Sequence, residues 1–328
     1  MKKWITLQLL ALAFAAATGN AATAAEDWPA KPVHIIVPAS GGSSLDFIAR
    51  TLGTRLSAIW HQPVIVENKP GAGGMLGMAA VAKAAPDGCT LGIGFNGPIA
   101  FAPYLYKQMA YVPQKDLLPI VLTSSQPNVL AVPASNPAKT LPEFVAWARK
   151  QKGGINYASV GAGSSSHLTM ELFRSSAGFE ATHVPFPGSP PAGISVASGD
   201  TQAIFTVAPA LLPLVSSGQI RLLAVTSAER MKGMEGMQNL PTVAESGYPG
   251  FEALAWNGLF TAAGTPAAVV NRINADVDAV MKRPEVREAF AQQGLLVGGG
   301  SPEDFRAFIA SESAKWGATI RKVGIRID

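Results

Sequence analysis

Two stretches of this sequence join an apolar run to a turn of glycine and serine and then to the start of a helix. In residues 33–50, VHIIVPASGGSSLDFIAR, the run is Val33, Ile35, Ile36 and Val37, ended by Pro38 and the pair Gly41-Gly42. Leu45, Ile48, Ala49 and Leu52 then recur at helical spacing, with Ser43 or Ser44 where an N-cap belongs. The second stretch, residues 159–167, reads SVGAGSSSH; it too follows a strand pattern and opens a helix. The chemistry such turns offer is anion binding. The unpaired N–H donors of a helix's first turn, with the positive end of its dipole, hold a carboxylate or phosphate without any basic side chain. Two of them facing across a cleft would direct donors from both sides at one anionic ligand. A plainer reading, in which each serine only caps its own helix, fits the same residues.

Other chemistries fit less well. Ser164, Ser165 and Ser166 beside His167 suggest a serine hydrolase, the alternative to a binding protein. Adjacent residues at a helix start do not face each other, however, and no G-x-S-x-G elbow is present. Gly92, Gly94 and Gly97 match G-x-G-x-x-G after a strand, but Pro98, Phe101, Tyr104 and Tyr106 follow instead of a clean amphipathic helix. Neither H-E-x-x-H nor a Walker A motif occurs, and His34, His61 and His183 lack ligand spacing. Met231, Met234 and Met237 could bind soft copper, against the plainer reading of a glycine-interrupted loop with flexible apolar residues. Trp256 and Phe260 could wall a pocket, although large aromatics more often fill a core. No metal and no cofactor are expected.

The chain has 328 residues, 48% apolar and 15% charged, which is long for one core and suits two. With Cys89 as its one cysteine it forms no intrachain disulfide. Lys2 and Lys3 supply two of the 26 basic side chains against 22 acidic ones, so the chain beyond residue 25 carries a net charge of only +2. No basic run interleaved with aromatics appears, which argues against a nucleic-acid partner. Residues 1–25 read as a secretory signal: Lys2 and Lys3, an apolar run over 4–17, and small residues at Ala22, Ala24 and Ala25 for cleavage near Ala24 or Ala25. That run is too short to span a membrane, and no later stretch is long enough. A soluble monomer exported out of the cytoplasm is expected.

Apolar strands alternate with helical stretches from residue 33 to 95: strand 33–37, helix 44–59, strand 64–67, helix 74–84 and strand 90–95. The alternation predicts a parallel sheet covered by helices, with ligands beyond the carboxyl ends of the strands. The first glycine turn, the turn at 70–74 and Asn96-Gly97 would then rim one mouth. A second unit begins near Pro127, with strands at 129–132, 155–159, 182–184, 202–206 and 220–226 and helices at 140–150 and 165–176. A strand at 255–260 leads into helices 267–281, 284–293 and 302–323, which have no run of strands of their own and should pack back on the first unit. The fold class expected is α/β, in two lobes, each a mixed and largely parallel sheet flanked by helices. The lobes are 26–125 with 251–328, and 126–250, so the chain crosses a double hinge near Ser125 and Gly250.

Eight pieces, in this order, carry a family pattern: VHIIVPASGGSSLDFIAR (33–50), VIVENKPGAGG (64–74), APDGCTLGIG (85–94), NYASVGAGSSSHLTMELF (156–173), THVPFPGSPPA (182–192), IRLLAVTSAER (220–230), LPTVAESGYPGFEALAWNGLF (240–260) and GTPAAVVNRIN (264–274). Together they resemble the extracytoplasmic solute-binding receptors of tripartite tricarboxylate transporters, the Bug/TctC family, over nearly the whole mature chain. The resemblance implies a periplasmic binding protein of the type II-like, two-lobed kind. It would close on a small organic carboxylate and deliver it to membrane transporter subunits of the tripartite tricarboxylate type.

It also implies that the turn after the first strand and the Gly/Ser turn of the second lobe hold the ligand's carboxylate. Carried onto this chain, the ligand-binding residues are Ala39, Ser40, Gly42, Ser43, Ser44, Leu45, Asp46, Asn96, Gly161, Gly163, Ser164, Ser165 and Thr206. The N–H groups near Ser44, Leu45 and Asp46 are the expected carboxylate donors, with Ser164, Ser165 and Asn96 helping through side chains. The Asp46 carboxylate is expected to order its own loop, because a free one would repel an anion. The sequence departs from the family's first turn: Ala39 replaces an aromatic residue, the glycines are shifted, and Leu45 stands where a small hydroxyl residue is common. The wider, more apolar wall this implies predicts a hydrophobic or aromatic carboxylate. Cys89 replaces a common tyrosine and is expected to be a buried strand residue without redox work.

Overall fold

The computed structural model describes residues 28–231 and 237–327. The expected export signal and Met234 lie outside them. In chain order, the strands and the helices of eight residues or more are β1 (Val33–Val37), α1 (Ser44–Trp60), β2 (Val64–Asn68), α2 (Met75–Ala82), β3 (Thr90–Phe95), β4 (Leu117–Pro133), α3 (Leu141–Ala148), β5 (Ile155–Ser159), α4 (Ser165–Ala177), β6 (Ala181–Pro185), α5 (Ser189–Ser198), β7 (Ala203–Val207), β8 (Ile220–Val225), β9 (Leu254–Ala262), α6 (Ala267–Met281), α7 (Pro284–Gln292), β10 (Leu296–Gly299) and α8 (Pro302–Val323).

Local sequence explains most of these elements. Ser43 and Ser164 cap α1 and α4 through their hydroxyls, and Ser301 with Asp304 forms a reciprocal capping box at the start of α8. Gly178 and Gly324, both left-handed, end α4 and α8. Helix α5, which has no clear pattern in the sequence, opens with Pro190 and Pro191 in its first turn, where a missing N–H costs nothing.

The strands form one continuous sheet in two halves. β1 pairs in parallel with β2 and β3, and β3 continues antiparallel to β9. β4 is the shared element. Its first part, from Leu117 to Pro127, runs antiparallel to β9, with β10 also paired to it around Leu122–Ser125. Its last part, from Asn128 to Pro133, pairs with β7 and β8, and β7 leads through β5 to β6 by parallel pairing. Pro119, which cannot donate to a ladder, sits at an irregularity in the β4–β9 register. Each half is thus mixed in direction and carries helices, as the α/β expectation requires, and the chain passes between halves inside β4 and again just before β9.

The tail helices do pack back on the first half, and they bring the short strand β10, which the helical pattern did not suggest. One apolar cluster joins Ile35, Val37, Leu45, Ile48 and Leu52 to Val269, Ile273 and Phe290. A second joins Tyr157, Leu168, Phe173 and Phe205 to Phe101, Trp256, Phe305 and Trp316. Trp256 and Phe260 are core residues here, and neither lines the cleft between the halves. Space in that core is tight: a side-chain carbon on Gly258 of β9 would stand 2.0 Å from the Phe305 ring. The glycines of the dinucleotide-like match serve the same end. Gly92 and Gly94 leave room for Val81 and Phe260. Cys89 is buried, one residue ahead of β3, and burial raises its thiol pKa.

Candidate functional site

The first turn is held together by Asp46. Its Oδ2 accepts the Gly42 N–H at 2.9 Å and Arg50 Nε at 3.0 Å, while Oδ1 accepts Asn68 Nδ2 at 3.0 Å. The same Asn68 amide reaches the Ala39 carbonyl at 3.0 Å, tying the turn to the end of β2. The hydrogen bond from Arg50 leads the causes that hold the Asp46 carboxyl down at about 2. Asp46 therefore orders its loop, as expected, with its charge already committed. Ser43 Oγ accepts the Asp46 N–H at 3.2 Å. The N–H groups of Ser44 and Leu45 belong to the first turn of α1, where no helical carbonyl lies in reach. Ser40, Gly42 and Ser44 are exposed. Leu45 differs from expectation in one respect: its side chain is turned into the core with Ile48 and Leu52, so it widens or greases no wall.

The second turn is ordered more heavily. Ser164 Oγ donates to the Gly161 carbonyl at 2.6 Å and accepts the His167 N–H at 3.3 Å. The Gly163 N–H donates to His167 Nδ1 at 3.1 Å, and the Gly161 N–H donates to Ser159 Oγ at 3.1 Å. Ser165 Oγ accepts from Asn128 Nδ2 at 2.9 Å, and Ser166 Oγ donates to the Phe205 carbonyl. None of the three serine hydroxyls bonds the His167 imidazole, so the nucleophile–base pair a serine hydrolase needs is not assembled here. His167 is 5% exposed, and burial, followed by the neighbouring His183, lowers its pKa to about 4.

Between the halves lies a cleft of about 430 Å³. One wall is Val160, Gly161, Ala162, Gly163 and Ser164; the other is Ala72, Gly73, Met75, Phe95, Leu105 and Tyr106, with Gly97 and Ala102. No charged side chain is among the residues lining it. Of the expected residues, Gly161, Gly163 and Ser164 face this space. The first turn stands beside the opposite wall, where α2 packs so closely on it that a carbon on Gly77 would lie 2.7 Å from Pro38 Cβ. Asn96 and Thr206 are buried with their polar groups engaged, Asn96 by the Leu254 carbonyl and Thr206 by Ser189. Ser165 is likewise occupied by Asn128 and lies outside the lining. Sequence reading had the 70–74 turn at the mouth but missed Met75, Leu105 and Tyr106 as its apolar wall. Tyr106 follows the β3 turn by ten residues, and only the folded chain brings it back to the glycines.

Among the described residues, no cluster of His, Cys, Asp or Glu could hold a metal ion, and no helix is long and apolar enough to cross a membrane. Met231 and Met237 are buried in an apolar cluster with Val129 and Val225.

The two-lobed fold, with a glycine and serine turn at a helix start lining a cleft without charged side chains, has the architecture of a solute-binding receptor. Residues 48–325 match the model of the tripartite tricarboxylate transporter family receptor, and the chain belongs to that family. It is similar to the protein BugT of Bordetella pertussis, 33% identical over 96% of each chain. Among solved structures it resembles R. palustris Rpa4515 with adipate, at 34% identity and TM-score 0.81, over 92% of this chain and 99% of that one. It also resembles the periplasmic binding protein BugD, at 29% identity and TM-score 0.76, over 91% and 99% of the two chains.

Proposed function

We propose that this receptor works in the periplasm, captures a small organic carboxylate with an apolar body, and presents it to membrane subunits of a tripartite tricarboxylate-type transporter. The observation that carries the reading is the cleft itself. It has apolar walls and no lysine or arginine to neutralise an anion, and it lies at the start of α4, where the Ser165 and Ser166 N–H groups have no helical carbonyl in reach. A carboxylate is then held by N–H groups and helix dipoles. Its hydrocarbon part lies against Met75, Phe95, Leu105 and Tyr106, which take over the role first given to Ala39 and Leu45. Adipate, bound by the similar Rpa4515, has this character, two carboxylates on a hydrocarbon chain. The moving bodies are residues 28–125 with 251–327, and 126–250, turning about β4 near Ser125 and the crossing near Gly250. Closure brings the first turn, with the free donors of Ser44 and Leu45, over the same ligand.

A thermal-shift series on residues 26–328 tests this. Adipate, benzoate and longer-chain monocarboxylates are compared with malate, aspartate and the matching uncharged amides. At a hundredfold excess over its dissociation constant, a ligand that binds only the folded protein stabilises it by about 2.7 kcal/mol. Carboxylates with apolar bodies are expected to raise the midpoint and their amides to leave it unmoved. If no carboxylate shifts it, even after denaturing and refolding to strip a bound ligand, the assignment fails.

A further inference from the structure

Behind the second turn, the rings of His167 and His183 stack face to face, with centroids 3.8 Å apart and planes inclined by 7°. Tyr157 of β5 continues the stack, its ring centroid 5.2 Å from that of His183. Each imidazole holds one glycine of the turn. His167 Nδ1 accepts the Gly163 N–H directly. His183 Nε2 pairs with Ser159 Oγ, which in turn accepts the Gly161 N–H. Both glycines have positive φ, 127° at Gly161 and 73° at Gly163, so this backbone path needs support that a side chain at either position could not give.

We propose that His167 and His183 are positioning residues acting as a pair: as neutral imidazoles they set Gly161 and Gly163 for ligand binding, and protonation of His167 releases the turn. The reason is donor geometry. For Nδ1 to accept from Gly163, the single proton of neutral His167 must sit on Nε2; a second proton on Nδ1 sets two donors against each other. The surroundings oppose that proton. Burial opposes it first, and a proton on His183, from β6 and itself disfavoured by burial, would repel a second charge on the ring stacked against it. From the same helix, Glu171 favours the charge and Arg174 disfavours it. Glu171 is itself engaged by the Tyr157 hydroxyl at 2.6 Å and by Arg174. β7 adds no ionisable group, and none of α8 bears on the ring. The inference rests on the receptor reading above for its binding arm alone.

Adipate's own carboxylates protonate in the acid range, so affinity is measured by calorimetry from pH 8 to pH 4 for the wild type and for His167→Gln together. The ratio of the two is expected to be flat at first and to fall about twofold by pH 4, where half of the His167 rings carry the second proton. His167→Phe keeps a flat ring without an acceptor and should lose about tenfold at pH 7. His167→Gln restores an acceptor and recovers most of that loss, and the acid limb it keeps is that of the ligand alone. A ratio of wild-type to His167→Gln affinity that stays constant down to pH 4 overturns the pairing. The second arm needs no ligand: in labelled protein, the His167 imidazole and the Gly163 amide are followed together by NMR as pH falls. A Gly163 resonance that tracks the His167 titration supports the pair, and one that ignores it overturns the pair. If Gly163 responds while no carboxylate binds, the pair stands and the ligand assignment falls.

Discussion

Replacing Glu312 by leucine is expected to lower the unfolding free energy by about 3 to 5 kcal/mol, the scale of a broken buried network. Glu312 is 6% exposed on α8, and its Oε2 accepts both the Trp256 indole N–H at 3.1 Å and the Trp316 indole N–H at 2.9 Å. Lys315 pairs with the other oxygen. Both indoles are completely buried, one on β9 and one against Phe101, so neither has water as a substitute. Leucine fills the space but strands two N–H donors. Glutamine keeps one carbonyl acceptor and should cost roughly half as much. Urea titration gives the measurement, with an unchanged slope as the check that the denatured state is the same. A cost for Glu312→Leu below about 1 kcal/mol would mean that the indoles find other acceptors and that the carboxylate organises nothing.

Asp46→Ala is expected to damage binding as well as stability. The carboxylate satisfies the Gly42 N–H, the Asn68 amide and the Arg50 guanidinium at once, so its loss unfastens the loop that opens α1. An affinity loss of about a hundredfold, or roughly 2.7 kcal/mol, is expected for whichever carboxylate gives the largest thermal shift. Circular dichroism should show the helix content retained. An Asp46→Ala receptor that binds as tightly as its parent would remove the first turn from the site.

The acid responses of the two turns separate by sign and window. Asp46 is lowered from 3.8 to about 2, so its stabilisation is complete above the ordinary carboxylate value and is lost only as pH falls from there through 2. His167 is lowered from 6.5 to about 4, so the unfolded chain takes up its proton first, and stability falls as pH drops from 6.5 toward 4. Loss of stability in the upper window thus belongs to the histidine pair, not to the first turn.

What could be read from the sequence was local. The strand, turn and helix of residues 33–60 announce themselves through Ile35, Val37, Leu45, Ile48 and Leu52, and helices such as α6 and α8 through their periodicity. The first part of β4 was illegible because Pro119, Ser124, Ser125 and Gln126 do not look like a buried strand; pairing with β9 makes them one. β10 is four residues long and half glycine, and its partner is about 170 residues earlier. The two helix starts themselves could be read because the capping serines and turn glycines are local signals; that both hold the ligand is our proposal. That Gly163 spends its N–H on His167, or that Tyr106 faces Gly161, is long-range or side-chain information with no periodic trace.

β4 also has a bearing on how this molecule comes apart. A strand held on both flanks by one half-sheet over its first part, and by the other over its last, cannot be surrendered by either half alone. Its backbone amides are expected to be among the most protected in hydrogen exchange, and the two halves are expected to unfold as one cooperative unit. The hinge closure proposed above would then bend a strand that neither half releases.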